Sequence, residues 1–132
     1  MHESILVVDA RPDEAGKLCE ILERHNYSAT ALHSLDELAA AVWKKVCHGV
    51  IVDLDSLPVD NRFIRNLCKK NPDLCVIGTS TRTFHPDLEE SMRTHISACL
   101  SKPVDEAELI YWLKSICGGT PRSRASPEEW GD

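Results

Sequence analysis

Short runs of apolar residues, each closed by a polar one, alternate along this chain with stretches whose apolar residues recur every three or four positions. Ile5-Leu6-Val7-Val8 closes on Asp9, and Gly49-Val50-Ile51-Val52 closes on Asp53. Val76-Ile77 leads to Thr79-Ser80, and Ala98-Cys99-Leu100 leads to Lys102-Pro103. Runs of this length predict buried strands over 4–9, 50–53, 74–79 and 97–100, with a weaker strand over 27–32. Between them the period lengthens to that of a helix. Pro12 sits at an allowed first helical position, and Ala15, Leu18, Cys19, Ile21 and Leu22 form an inner face up to a stop at Asn26. Ser34-Leu35-Asp36-Glu37 is a capping box, predicting a helix to about Val46 with Leu35, Leu38, Ala39, Val42 and Trp43 inward. A third helix over 61–70 carries Phe63, Ile64 and Leu67 and ends at the turn Asn71-Pro72-Asp73. Pro86 opens a fourth, to about His95. Asp105, with an acid three residues on, caps a fifth that carries Leu109, Trp112, Leu113 and Ile116.

Five strand–helix units with near-continuous apolar strands predict an α/β fold, a doubly wound parallel sheet with helices on both faces. In such a sheet, ligands gather at the carboxyl ends of the strands. That is where the polar residues closing each run fall, with Asp53 central among them. From Gly118 the pattern gives way to a polar segment rich in Gly, Pro and Ser. The domain is therefore expected over 1–117, with a flexible tail over 118–132.

Composition narrows the possible partners. The 132 residues carry a net charge of -6, which argues against a nucleic-acid surface. Hydrophobic residues make up 42% and charged ones 27%, the balance of a globular domain rather than a disordered one. No stretch approaches the roughly 18 apolar residues of a membrane span, and the amino terminus lacks a signal peptide's basic flank and cleavage site. A cytoplasmic location with no membrane contact is expected. The six cysteines are scattered without ligand spacing and read as reduced thiols, mostly small packing residues.

Taken together, these motifs resemble the receiver domain of two-component response regulators over residues 4–117. Val50-Ile51-Val52-Asp53-Leu54 is similar to the strand that holds the family's phosphoacceptor aspartate, and Asp9 to the first of its two strand-one acids. Asp60-Asn61 falls where the family usually has Asp-Gly, Ser80 at its Ser/Thr, and Lys102-Pro103 at its Lys-Pro. The order and spacing of these motifs, rather than any one alone, carry the resemblance. It implies a flavodoxin-like fold of strand order 2-1-3-4-5. It further implies Asp53 as nucleophile toward phosphorus, Lys102 as the cation on a phosphoryl oxygen and Ser80 as a hydroxyl that turns toward the phosphoryl group. A cis bond before Pro103 would aim Lys102 inward.

The same resemblance implies Mg²⁺, held here by Asp9, Asp53 and the backbone carbonyl of Asp55. The chain departs from the family at Ala10, where the second acid is missing. Mg²⁺ demands near-octahedral oxygen ligands, so the loss of a carboxylate predicts a weakened site. The Asp55 carboxylate and Asp13 are two candidate replacements. Arg11 reads as a solvated surface residue; the alternative is a guanidinium set among Asp9, Asp53 and Asp55 in place of the metal, which would lock the domain in one state. Pro58 lies one position late for the family. Cys99 stands where an aromatic switch residue is usual, so output through loop motion alone is expected.

The resulting expectation is a receiver that accepts a phosphoryl group on Asp53 from a histidine kinase or phosphotransfer protein. Its activity would be limited to self-phosphorylation from donors and autodephosphorylation. It would signal through a changed protein-binding face to a downstream partner or a second copy of itself. The rival is a degenerate receiver that binds proteins without phosphorylation, favoured by Ala10 and opposed by the intact Asp53, Ser80 and Lys102. A flavodoxin-like cofactor binder would need a glycine-bearing phosphate loop after the first strand, which Ala10-Arg11-Pro12-Asp13 lacks.

Overall fold

A computed structural model describes residues 4–44, 47–83 and 85–117. Five strands alternate with five helices: β1 Ser4–Val8, α1 Pro12–Arg24, β2 Ser28–Leu32, α2 Leu35–Lys44 and β3 Gly49–Asp53, then α3 Asn61–Lys70, β4 Cys75–Ser80, α4 Glu89–Thr94, β5 Ile96–Ser101 and α5 Glu106–Trp112. A 3₁₀ turn over Pro86–Leu88 leads into α4, and a π turn over Leu113–Cys117 follows α5. All pairings are parallel, in the order β2-β1-β3-β4-β5. The flavodoxin-like doubly wound sheet expected from the sequence is the fold observed.

Alternation along the strands sorts the core into two layers, because successive side chains point to opposite faces of the sheet. Ile5, Val7, Ile51 and Ile77 join Ala15 and Leu22 of α1 and Leu109 of α5 on one face. Leu6, Val8, Val50, Val52 and Val76 join Leu38 of α2 and Ile64 of α3 on the other. β3 and β4 are buried throughout, whereas the edge strands β2 and β5 are partly open. This is why the sequence signal was strongest at the centre of the sheet.

The helix signals are borne out with adjustments. Ser34 Oγ accepts the Glu37 N–H at 3.1 Å, but the Glu37 carboxylate returns to the His33 N–H at 2.7 Å, one residue earlier than a reciprocal box. Asp60 caps α3 through the Phe63 N–H, and Asp105 caps α5 through the Glu108 N–H. Asn26 ends α1 in the left-handed region at φ 70°, a conformation asparagine tolerates. The predicted end of α2 at Val46 and the tail over 118–132 lie outside the described residues.

Some expectations are corrected. β4 extends to Ser80, one residue beyond the predicted end, and β5 runs to Ser101. Trp43, placed on the inner face of α2, is 74% exposed and carries the Lys70 ammonium 5.4 Å from its ring centroid. Cys19, Cys68 and Cys99 are free thiols, but Cys75 is disulfide-bonded rather than reduced. Among the described residues, no helix is long and apolar enough to cross a membrane.

Candidate active site

The parallel register carries Asp53 to the carboxyl end of β3 directly beside Thr79 of β4, with Asp9 one residue past the end of β1. Asp53 is 1% exposed and Asp9 3%. Buried carboxylates at such an edge need partners, since an unpaired charge there is costly. The partners of Asp53 come from the loops after β3 and β5 and from β4 itself. Lys102, just past β5, forms an ion pair with Asp53 Oδ1. Thr79 Oγ1 donates to the same oxygen at 3.1 Å, and the Ser56 N–H donates to Oδ2 at 2.8 Å. Burial alone would raise the pKa of Asp53. The bonds from Lys102 and Ser56 and the charge of Lys102 outweigh it, so the carboxyl is held below its ordinary value and stays ionised. The peptide bond between Lys102 and Pro103 is cis, as the sequence resemblance implied.

Leu54 turns the chain away from the strand by packing over Gly78. A Cβ at Gly78 would come within 2.9 Å of Leu54 Cδ1, so glycine there lets the loop after β3 lie close on β4. The Leu54 N–H to Thr79 carbonyl bond at 2.9 Å fixes that approach. The loop then delivers Asp55 and Ser56 to opposite sides of Asp53. Ser56 faces β1: its Oγ donates to Asp9 Oδ1 at 3.2 Å and accepts the Ala10 N–H at 3.1 Å.

Asp55 faces β4. Its Oδ1 accepts Ser80 Oγ at 2.7 Å, and its Oδ2 accepts the Thr81 N–H at 2.8 Å and Thr81 Oγ1 at 3.1 Å. Lys102 Nζ lies 3.2 Å from the same Oδ2. Partial burial opposes its ionisation, but the bonds from Ser80, Thr81 and Lys102 hold the carboxyl well below the usual carboxylate range. Lys102 thus bridges Asp53 and Asp55. Burial disfavours its charge, yet pairing with the two acids raises its pKa above the ordinary lysine value.

Arg11 departs from its reading as a solvated surface residue. Its Nε lies 3.2 Å from Asp9 Oδ1, and its terminal nitrogen lies 3.4 Å from Asp9 Oδ2 and 3.7 Å from Asp53 Oδ2. The Arg11 N–H also donates to Asp9 at 2.9 Å. Although the side chain is half exposed, its charged end spans the two acids that the resemblance assigns to a metal. The hydrogen bond from Arg11 to Asp9 is the main reason the guanidinium's pKa rises further. Asp13 is exposed in the first turn of α1.

The donor set does not fit a divalent cation in this arrangement. Among the described residues, no three His, Cys, Asp or Glu groups are placed to hold a metal ion. Asp55 directs its carboxylate toward β4 and Lys102, and the space between Asp9 and Asp53 receives a guanidinium. Arg11 and Lys102 offset most of the pocket's negative charge from within.

The structure therefore brings Asp53, Lys102, Asp9 and Asp55 into one cluster and places Ser80 against Asp55 rather than Asp53. Ser56 was missed by the sequence reading. Its only local signal was its position three residues after Asp53, where a backbone N–H can fold back onto an aspartate. Thr79, which precedes Ser80 at the end of β4, holds Asp53 directly.

A family model described as the response regulator receiver domain matches residues 5–114. Among solved structures, a CheY-like response regulator receiver domain protein from Methanospirillum hungatei is similar with a TM-score of 0.78 at 18% identity, with 86% of this chain and 92% of that chain covered. A sensor protein from Polaromonas sp. has a TM-score of 0.78 at 27% identity, covering 89% and 98% of the two chains. The receiver domain of the response regulator Ssk1 from Saccharomyces cerevisiae was solved with the histidine phosphotransfer protein Ypd1. It has a TM-score of 0.72 at 16% identity, with 88% and 89% covered. No curated protein matches the chain.

Proposed function

Given that the chain belongs to the family of response regulator receiver domains, we propose that it acts in a phosphorelay, with Asp53 accepting a phosphoryl group from a histidine kinase or a histidine phosphotransfer protein. The observation that carries this reading is the Asp53 carboxylate, buried at the carboxyl edge of the sheet and ion-paired with Lys102. An Asp53 oxygen attacks phosphorus and forms a new O–P bond. The bond from phosphorus to the donor's imidazole nitrogen breaks, and its electron pair stays on that nitrogen. Negative charge accumulates around the transferred group, so positioning and nearby cations dominate the catalysis. The ion pair of Lys102 with Asp53 supports its role as the cation on a phosphoryl oxygen, and Arg11 lies against the other carboxylate oxygen. Ser80 supplies a hydroxyl to the same pocket once it is released from Asp55.

Receiver domains generally bind Mg²⁺ at this acidic pocket. In this chain a Mg²⁺ ion has to displace Arg11 to reach Asp9 and Asp53, with Asp55 as its remaining ligand. Weak binding is therefore expected, and no step above depends on it. The phosphotransfer protein in the Ssk1 complex supports a partner of that class. A downstream protein or a second copy of the chain, met through the face of α4, β5 and α5, completes the reading.

Intact mass after incubation with a small phosphodonor, with and without Mg²⁺, tests it. A single phosphoryl adduct that is absent in Asp53→Asn is expected. An unmodified mass, or an adduct that survives that substitution, overturns the assignment. The second reading, a phosphorylation-independent binding module, draws on a specific observation: Asp9, Asp53 and Asp55 already have cations from within the chain.

A further inference from the structure

Asp55 holds the groups that an anion on Asp53 would need. Its two carboxylate oxygens take the Ser80 hydroxyl at 2.7 Å, the Thr81 N–H at 2.8 Å, the Thr81 hydroxyl at 3.1 Å and the Lys102 ammonium at 3.2 Å. Arg82 Nε stands 3.6 Å away. Two hydroxyls, a main-chain N–H and an ammonium shared between the two oxygens of one carboxylate make an oxyanion site. Lys102 contacts Asp53 and Asp55 together, so the site adjoins the Asp53 oxygen that Lys102 faces.

We propose that the Asp55 carboxylate is an internal occupant of the phosphoryl subsite, holding the loop after β4 in its anion-bound arrangement before any phosphoryl group arrives. The proposal rests on the reading of Asp53 as phosphoacceptor and adds the group with which the phosphoryl must compete. The reach of the contact supports a conformational role. Ser80 Oγ, while donating to Asp55, accepts the Arg82 N–H at 2.9 Å, and the Arg82 carbonyl meets His85 Nε2 at 3.0 Å. Ser80, Arg82 and His85 also line a cavity of about 480 Å³ bounded by Met92 of α4 and by Cys99 and Leu100 of β5. The hydrogen-bond chain from one carboxylate in the loop after β3 thus reaches residues that line a hollow on the β5 side of β4. With Cys99 in place of a large ring, that hollow stays unfilled by the chain's own strand.

The geometry predicts two separable effects of removing the carboxylate. The Thr81 amide loses its acceptor, and an incoming anion no longer has to displace one. Hydrogen bonds to a charged group are worth enough that losing this competitor should tighten anion binding by roughly tenfold or more.

The test compares wild type, Asp55→Ala and Asp55→Asn by amide hydrogen exchange and by titration with beryllofluoride, a mimic of aspartyl phosphate. Thr81 should exchange slowly in wild type and at least about tenfold faster in Asp55→Ala, with Asp55→Asn in between because it keeps one acceptor oxygen. Beryllofluoride should bind Asp55→Ala about tenfold more tightly than wild type. Equal affinities with unchanged Thr81 exchange overturn the proposal and leave Asp53 as the phosphoacceptor. Tighter binding with unchanged Thr81 exchange reduces Asp55 to a repelling charge and also overturns it. If no variant binds beryllofluoride, the phosphoacceptor reading fails, and Thr81 exchange alone decides whether Asp55 occupies the site.

Discussion

Lys102→Met is the most direct perturbation of the cluster, because it removes one ammonium from two carboxylates while preserving most of the side-chain volume. Asp53 is left 1% exposed with its charge uncompensated on that side. A pair at the 3.2 Å separation of Lys102 and Asp55 attracts by roughly 5 kcal/mol at an effective dielectric of about 20, before desolvation offsets part of it. Breaking a buried pair by removing one partner costs about 3–5 kcal/mol. Asp53 retains the Ser56 N–H and the Thr79 hydroxyl, and Arg11 stays 3.7 Å away, which places the expected loss near the lower bound, about 3 kcal/mol.

Urea unfolding at neutral pH, followed by circular dichroism, measures this loss. Asp53→Asn in the Lys102→Met background should recover most of it, since the unpaired charge is then gone. The acid limb gives a second check. The folded pKa of Asp53 lies below its unfolded value, so the stabilisation it contributes is fully present above the ordinary carboxylate range and is lost as pH falls through the folded value. Without Lys102 the folded pKa rises, and the acid loss should begin at higher pH. A cost under about 0.5 kcal/mol, the range of an ordinary surface change, would refute the reasoning.

Three further outcomes follow from the same geometry. Arg11→Ala should open the space between Asp9 and Asp53 and strengthen Mg²⁺ binding by about tenfold in calorimetry, whereas no change would deny Arg11 the role of resident cation. Thr79→Val removes the hydroxyl from Asp53 Oδ1 and should cost about 1–3 kcal/mol in urea unfolding, with a raised carboxyl pKa by carbon-detected NMR. Asp105→Ala removes the cap of α5 and should cost about 1 kcal/mol, read as a lower melting temperature with Asp53 phosphorylation unaffected.

Much of the fold was legible because its signals are local. β1 and β3 are buried on both faces, so each reads as an unbroken apolar run bounded by a polar residue. Asp105 announces α5 because a cap acts on its own helix within one turn. The edges were read less accurately. β5 ran past its predicted end because a half-exposed strand needs no apolar residue at its last position. Trp43 was placed inward because helical spacing puts it beside Ala39 and Val42, but of the sequence neighbours Val42 and Trp43 only Val42 turns onto the core, and the indole lies 74% exposed with the Lys70 ammonium over its ring.

For the site, the division lies between position and pairing. That Asp9, Asp53, Ser80 and Lys102 would meet was readable from the chain alone. A parallel sheet stacks the carboxyl ends of its strands whatever the side chains are, so residues closing the apolar runs converge. Which group satisfies which depends on the folded arrangement. Asp53 and Lys102 are 49 positions apart, and Asp9 and Ser56 are 47 apart. No local rule reaches across such spans. Competition among buried charges for the nearest donor settled the outcome. Arg11 reaches both Asp9 and Asp53 from the loop after β1, and Asp55 took Ser80 and Thr81 because the turn over Gly78 brought its carboxylate within hydrogen-bond distance of the end of β4.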